Sequence, residues 1–417
     1  MLKASALFYA LIFSIVAGFS VMMLLLLMST YSHANARLNN EKKLLLNLSS
    51  VRVLIESGNI EISELARYDF DLFGSGFDSV SILKRSFGLL DFYKCTSYGK
   101  GQNKSDYSLY GYAVPLDQIA LFIPSSTYPL KVCGDTKIEG PALVPLGIIT
   151  PASINGINYL NEKLGYDIIE PSSSEMLKLQ MDPYRKILNQ SIIYPKYDTL
   201  VSLEYLNNMK HISYTSKRHV LWSESNLNLD SLKVSGNVFI YCEKQLFIGH
   251  KTELEDVVVF GENVILEDFV TGRFQVFASG SLVLGKNTKL LYPSNIGLIN
   301  ETLGTENSLI MGKGSEVQGG VLIYSENVKS GNSPYLILGE NSRIWGVVYS
   351  NHEIQLERKI TINRGLICKG LFLKNGASKF YNHLLDTKIT PYKIPKFYVD
   401  TYKGYQLTHS KRIQCLN

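Results

Sequence analysis

A nine-residue pattern recurs through the C-terminal half of the chain at spacings that are all multiples of nine. Four segments carry it in full: Leu246-Phe-Ile-Gly-His-Lys-Thr-Glu-Leu254, Leu282-Val-Leu-Gly-Lys-Asn-Thr-Lys-Leu290, Leu309-Ile-Met-Gly-Lys-Gly-Ser-Glu-Val317 and Leu336-Ile-Leu-Gly-Glu-Asn-Ser-Arg-Ile344. Each reads apolar, any, apolar, Gly, two polar, Ser or Thr, polar, apolar. Weaker copies begin at Val264 and Ile354, so the starts at 246, 264, 282, 309, 336 and 354 are separated by 18, 18, 27, 27 and 18 residues. Self-similarity at a short fixed period means stacked supersecondary units, each burying its apolar face on the next.

A second, more apolar segment alternates with the first: Val238-Phe-Ile-Tyr241, Val257-Val-Val-Phe260, Phe274-Gln-Val-Phe277, Val321-Leu-Ile-Tyr324 and Val347-Val-Tyr349. β-branched residues are too dense, and Gly-x-x-Ser/Thr too frequent, for helices. Short strands alternate inward apolar and outward polar side chains. Gly and Asn are expected at the bends, where positive φ is needed. Ser and Thr at a fixed offset are expected to form hydrogen-bonded ladders at about 4.8 Å per repeat. The expected fold class is mainly β, with a parallel β-helix (solenoid) over residues 130–385. Its start rests on an upstream copy, Leu130-Lys-Val-Cys-Gly134-Asp-Thr-Lys-Ile138, with one extra residue before Gly, which makes residues 158–215 an insertion or a broken repeat. Residues 60–128 read as a small β region with candidate strands at Val80, Leu89 and Ile119, and 386–417 as a C-terminal strap. The repeats resemble those of bactofilin-type and other bacterial right-handed β-helices, a likeness that implies fold alone.

The N-terminus is of another kind. Ala4 to Met28 carries no charged residue, and roughly 20 apolar residues suffice to cross the hydrocarbon core. A cleaved signal peptide has a shorter apolar stretch and a small-x-small site, so an uncleaved anchor is expected. Arg37 to Ser57 continues as an amphipathic helix, with Leu38, Leu45 and Leu48, and Leu44, Leu48, Val51 and Ile55, at helical spacing. Ser57-Gly58-Asn59 supplies a stop. Residues 1–57 are therefore expected as one transmembrane helix and stalk, about 80 Å long. Lys3 precedes the span, and Arg37, Lys42 and Lys43 follow it. Counted by the positive-inside rule, this leans against an exported body.

The start Lys3-Ala4-Ser5-Ala6-Leu7-Phe8, with the apolar-then-amphipathic helix behind it, resembles type IV pilins and type II secretion pseudopilins. In particular it resembles minor members with a short Gly-x-Ala-Leu start. The resemblance implies cleavage between Ala4 and Ser5, an inner-membrane anchor, and a body in the periplasm or at the cell surface. It also implies partners among other envelope or pilus-like subunits, held through the helix. Ala4 stands where the family has Gly, and Tyr9 where it has Glu at the fifth mature position; some tip subunits also lack that Glu. The likeness covers about the first 57 residues. The order of anchor helix, small β region and β-helix is similar to a family of membrane-anchored proteins of Bacteroidetes type, which adds no activity.

Signals for chemistry are sparse. The seven His, at 33, 211, 219, 250, 352, 383 and 409, form no His-x-His or His-Glu-x-x-His pair, and there is no Cys-x-x-Cys. Walker and Gly-x-Ser-x-Gly patterns are also missing. A net charge of +5 over 417 residues is too weak to argue for nucleic acid. No catalytic residue, cofactor or metal is assigned. Asp69, Asp71 and Asp78 surround a Gly turn and are weighed as a Ca²⁺ loop against a hairpin with solvated carboxylates. Cys95 and Cys133 are weighed as a disulfide, while Cys242 and Cys368 follow apolar strand residues and read as buried thiols. His383, in Phe380-Tyr-Asn-His-Leu384, is weighed as a base or ligand against a segment capping the open end. Asp256 and Asp268 are the carboxylates a polysaccharide lyase would use, although no Asp ladder recurs. The Lys-rich tail with Pro391 and Pro395 is expected to run extended, adding a strand to a partner or packing on the surface.

These readings converge on a non-enzymatic, membrane-anchored structural or assembly protein, a minor pseudopilin-like subunit presenting a β-helix. The alternative is a membrane-tethered, bactofilin-like scaffold that self-associates end to end. The third is a carbohydrate-active enzyme.

Overall fold

The structure, a computed structural model, describes residues 2–58, 60, 62–74, 76, 78–112, 119–161, 168–177, 187, 196–300, 307–325, 335–391 and 410–415. Strands make up 51% of it, so the chain is mainly β behind one long N-terminal helix. It divides into two compact units: Met1–Lys84 with Lys94–Asp106, and Arg85–Tyr93 with Tyr107–Asn417.

In the first unit, α1 (Leu2–Ser57) is a single 56-residue helix. From Leu7 to Met28 its large apolar side chains are exposed, and it is long and apolar enough to cross a membrane. Beyond Arg37 one face becomes buried: Leu44, Leu48, Val51 and Ile55 are each at most 4% exposed. Leu38 and Leu45, the other series at helical spacing, stay outside. Strands Arg67–Phe70, Asp78–Phe87, Leu90–Gly99 and Gln102–Tyr112 hydrogen-bond in that order, and Val80, Ile82 and Cys95 are buried. Three polar ties set the helix on the sheet: Asn40 Nδ2 donates to the Gly99 carbonyl (3.1 Å), Asn47 Nδ2 to Asp78 (2.7 Å), and Arg52 pairs with Asp106 (2.7 Å).

The second unit is a closed sheet of mostly parallel strands. The six repeat starts are true equivalents. Leu246, Val264, Leu282, Leu309, Leu336 and Ile354 are successive register partners, and all are buried in one apolar core. The second strand type aligns likewise, from Val238 through Val257 to Phe274. Strand Ile296–Asn300, which carries no Val/Phe signature, fills the gap between Phe274–Phe277 and Val321–Ser325.

The order of repeats departs from chain order. The upstream copy does not begin the sheet; it follows the last C-terminal repeat. Leu121–Phe122 pairs with Leu366–Ile367, Leu130–Cys133 lies parallel to His383–Leu385, and Lys137–Ile138 to Lys388–Ile389. Ala142–Val144 and Ile149–Pro151 add the next layer, and Ile169–Pro171 the one after. Residues 158–215 are therefore not an insertion between consecutive repeats. Within them Ile169–Pro171 lies at one end of the paired strands, on Ala142–Val144, and Asp198–Val201 at the other, on Arg218–Ser223, which pairs with Lys233–Ile248. The short helix α2 (Leu203–Asn208) closes this end. Ser202 caps it through Tyr205 N–H, and Leu206 is fully buried in the core.

Gly and Asn do take the positive-φ bends, though not at the repeat's own glycine, and the expected Ser/Thr ladder is corrected. The repeat glycines Gly249, Gly285, Gly312 and Gly339 do not have positive φ. Side-chain carbon there has no room: a Cβ on Gly312 would sit 2.7 Å from the Gly285 backbone, and one on Gly339 2.6 Å from the Met311 carbonyl oxygen. The left-handed position falls two residues later, at Asn287, Gly314 and Asn341. The Ser/Thr residues at the fixed offset are buried but bond to backbone. Thr288, Ser315 and Ser342 donate to the carbonyls of Gly285 (2.9 Å), Gly285 (2.8 Å) and Gly339 (2.7 Å). The buried hydroxyls thereby find their own partners at the turn carbonyls, and the Gly339 carbonyl also accepts the Ser342 N–H.

Candidate functional site

The outer side of the second strand type is buried as well, which alternation alone does not predict. Outward-facing Phe239, Val258, Phe277, Leu322, Tyr349, Ile367 and Phe122 join a second apolar cluster with Phe87, Leu89, Leu90 and Phe92 from the hairpin tip Arg85–Tyr93. Ile187, with Met176 and Leu177 against it, covers the same face, and Tyr349 Oη donates to the Leu177 carbonyl at 3.1 Å. Gln275 locks the hairpin turn: its side-chain oxygen accepts from Leu89 N–H and its amide donates to the Phe87 carbonyl, both at 2.8 Å.

Sequence reasoning missed a buried ion cluster. The Asp198 carboxylate is fully buried. Its Oδ1 accepts from Arg85 Nη2 (2.7 Å) and Arg218 Nε (3.0 Å), and its Oδ2 from Arg218 Nη2 (2.9 Å). Nothing local marks these residues, which are brought together over more than a hundred positions. His352 was also passed over. It is 4% exposed with no partner for Nε2, and burial, with Lys369 nearby, pushes its pKa down to about 4.

The residues singled out from sequence serve structure. Asp71 accepts from the N–H groups of Phe73 and Gly76 in its own turn, Asp69 pairs with Arg67, and Asp78 receives Asn47. Among the described residues no three His, Cys, Asp or Glu converge on a metal site. Asp256 is engaged by Arg273 (2.9 Å), and Asp268 accepts Lys286 N–H (2.6 Å) at a turn. They occupy separate turns rather than one catalytic face.

Cys95 and Cys133 are not bridged; each is a free thiol buried in its own unit. Burial beside Asp106 drives the Cys95 pKa up to about 12, and burial near Asp386 raises that of Cys133. Cys242 and Cys368 are buried free thiols, as their strand positions implied, with Cys368 raised by burial to about 12. Neutral thiols of this kind are poor nucleophiles. His383 does not cap an open end. It lies in the strand His383–Leu385, inside the sheet beside Lys131, and its Nδ1 contacts the Tyr381 carbonyl (2.6 Å). Burial lowers its pKa.

The backbone of Ala4 and Ser5 is helical, and their side chains lie outside the described residues. Of the tail, 392–409 also lies outside them, but Ser410–Cys415 adds antiparallel to the chain's own strand at Ser108–Tyr112 rather than to a partner.

A charged corner marks where early and late repeats meet. Asp386 Oδ1 accepts Asp135 N–H (2.9 Å), its Oδ2 takes Arg358 (2.9 Å), and Asp135 takes Lys388 (2.8 Å). With Lys359 and Thr361 these residues line a cavity of about 450 Å³. Each carboxylate is already neutralised, so the corner acts as a clasp.

Compared with family models, with curated proteins and with solved structures, the chain matches none.

Proposed function

We propose that this chain is a non-enzymatic, membrane-anchored assembly protein whose N-terminal helix bundles with partner helices in the inner membrane and whose body is a parallel β-helix in the periplasm or at the cell surface. The observation that carries the reading is α1. One unbroken helix has an exposed apolar first half and a second half packed on a small sheet, the arrangement of a pilin head on its stalk. The β-helix reading is supported by inner columns that pair in parallel register from one repeat to the next.

The end-to-end scaffold is weakened by α2, which seats Leu206 over one end of the core. The enzyme reading is weakened by Asp256 and Asp268, whose carboxylates are held by Arg273 and a turn amide.

The test is topology with N-terminal sequencing of the membrane-extracted protein. A periplasm-dependent reporter after residue 417 and a start at Ser5 are the expected results. Bulky replacements at Ala4 and Ser5 should block maturation and assembly. A cytoplasmic reporter signal would overturn the pilin-like reading.

A further inference from the structure

The end of the first unit nearest the apolar span carries a cluster of exposed positive charge. The polar ties fix levels along α1: Asn40 meets Gly99 and Gln102, Glu41 meets Lys104 (2.6 Å), and Arg52 meets Asp106. Strand Gln102–Tyr112 therefore runs away from the span. The turn Lys100–Gly101 and the loop after Phe70, which leads into Asp78, lie at the sheet's near end. Twelve residues of helix separate Met28 from Asn40, about 18 Å at 1.5 Å per residue. A headgroup layer takes up about 5–7 Å of that. The remaining gap is roughly 11–13 Å at the Asn40 level and about 7–8 Å at Arg37, against a screening length of about 8 Å at physiological salt; extended Lys and Arg side chains shorten it further.

Arg37, Lys42, Lys43 and Lys100 are exposed here, and no ion pair engages them among the described residues. The nearby carboxylates are occupied: Glu41 by Lys104, Asp78 by Asn47, and Asp71 by its own turn amides. Phe73 stands 56% exposed in the same loop, beside Gly74 and Gly76, both at positive φ with open space around them. The loop and the turn frame a cavity of about 640 Å³ lined by Asp71, Tyr98, Lys100 and Gln102.

We propose that this end of the sheet is a foot that rests on the bilayer, with Arg37, Lys42, Lys43 and Lys100 binding anionic lipid headgroups and Phe73 seated at headgroup level. The inference needs α1 to cross the membrane but does not need the assembly reading. Clustered cations this close to a bilayer are drawn to anionic lipid, and an exposed aromatic ring on a Gly-flanked loop can enter the interface.

The test uses the full chain in lipid nanodiscs containing a headgroup-nitroxide lipid, with and without phosphatidylglycerol. Phe73→Trp reports by fluorescence, and the unsubstituted protein, with Trp222 and Trp345 as its two tryptophans, sets the baseline. The expected result is quenching of the new tryptophan beyond baseline, stronger with phosphatidylglycerol. That excess should be lost on adding Lys100→Glu and in 1 M salt, where the screening length falls to about 3 Å. A tryptophan at 73 that is no more quenched than baseline overturns the proposal. So does quenching that is equal without anionic lipid, or that survives Lys100→Glu.

Discussion

Joining Lys137→Cys to Lys388→Cys tests the order of repeats directly. The two positions are 251 apart in sequence but are register partners on neighbouring parallel strands. Neighbouring strands lie about 4.8 Å apart, within the Cα window of about 4.4–6.8 Å that a disulfide accepts. The native thiols at 95, 133, 242 and 368 are buried, so a Cys415→Ser background leaves the new pair as the reactive one. Cross-linking a loop of this length removes unfolded-chain entropy equivalent to about 5 kcal/mol. The lost ion pairs of Lys137 and Lys388 with Asp135 are half-exposed and return only about 1 kcal/mol. A net gain of roughly 2–4 kcal/mol is expected, read as a higher urea midpoint for the oxidised over the reduced form. Peptide mapping identifies the link. A sequential order of repeats would instead bring 137 toward the residue-233 end. Efficient oxidation of a Lys137→Cys, Lys233→Cys pair with none of the 137–388 pair would refute the reasoning.

Three further outcomes follow from the packing. Leu206→Ala should cost about 2–5 kcal/mol in denaturant melts, because it opens the capped end of the core. Asp198→Asn should cost about 3–5 kcal/mol, since it leaves Arg218 and Arg85 without their buried counter-charge, and Asp198→Glu should recover part of it. His352 is held neutral at a pKa of about 4 against 6.5 in the unfolded chain. As pH falls from 6.5 toward 4 the unfolded chain therefore takes up a proton that the folded chain refuses. Stability should fall by at most roughly 3 kcal/mol across that window, and His352→Gln should remove the His352 part of the slope, leaving that of half-buried His383.

Local periodicity made the β architecture readable. A nine-residue pattern places Leu246, Leu282, Leu309 and Leu336 on one column whatever else happens, because each strand's in-out alternation is local. The long apolar helix was equally legible, since an uncharged run of that length is enough to cross a hydrocarbon core as a helix. The stalk face was read correctly only in its Leu44, Leu48, Val51, Ile55 series. Helical spacing names the candidate faces, and the sheet selects one. The sequence left the candidate site residues between two readings. Asp71, Asp256 and Asp268 look like ligands or catalysts as letters, but their partners are turn amides and Arg273, which no spacing reveals.

What the sequence determined by itself was therefore the repeating unit, the equivalence of its copies and the continuity of the N-terminal helix, each written within a few tens of residues. Tertiary structure alone decided the order in which the repeats lie. Parallel pairing is the same whichever copy comes next, so Lys137–Ile138 fits beside Lys388–Ile389 as well as beside any other. It also decided that the repeat glycines answer to close backbone approach rather than to positive φ, and that the Arg85–Tyr93 hairpin tip covers an outer face. It alone assembled Arg85, Asp198 and Arg218 into one buried cluster. Each of these depends on contacts between residues far apart in the chain, and the energies that select among them are absent from any local window.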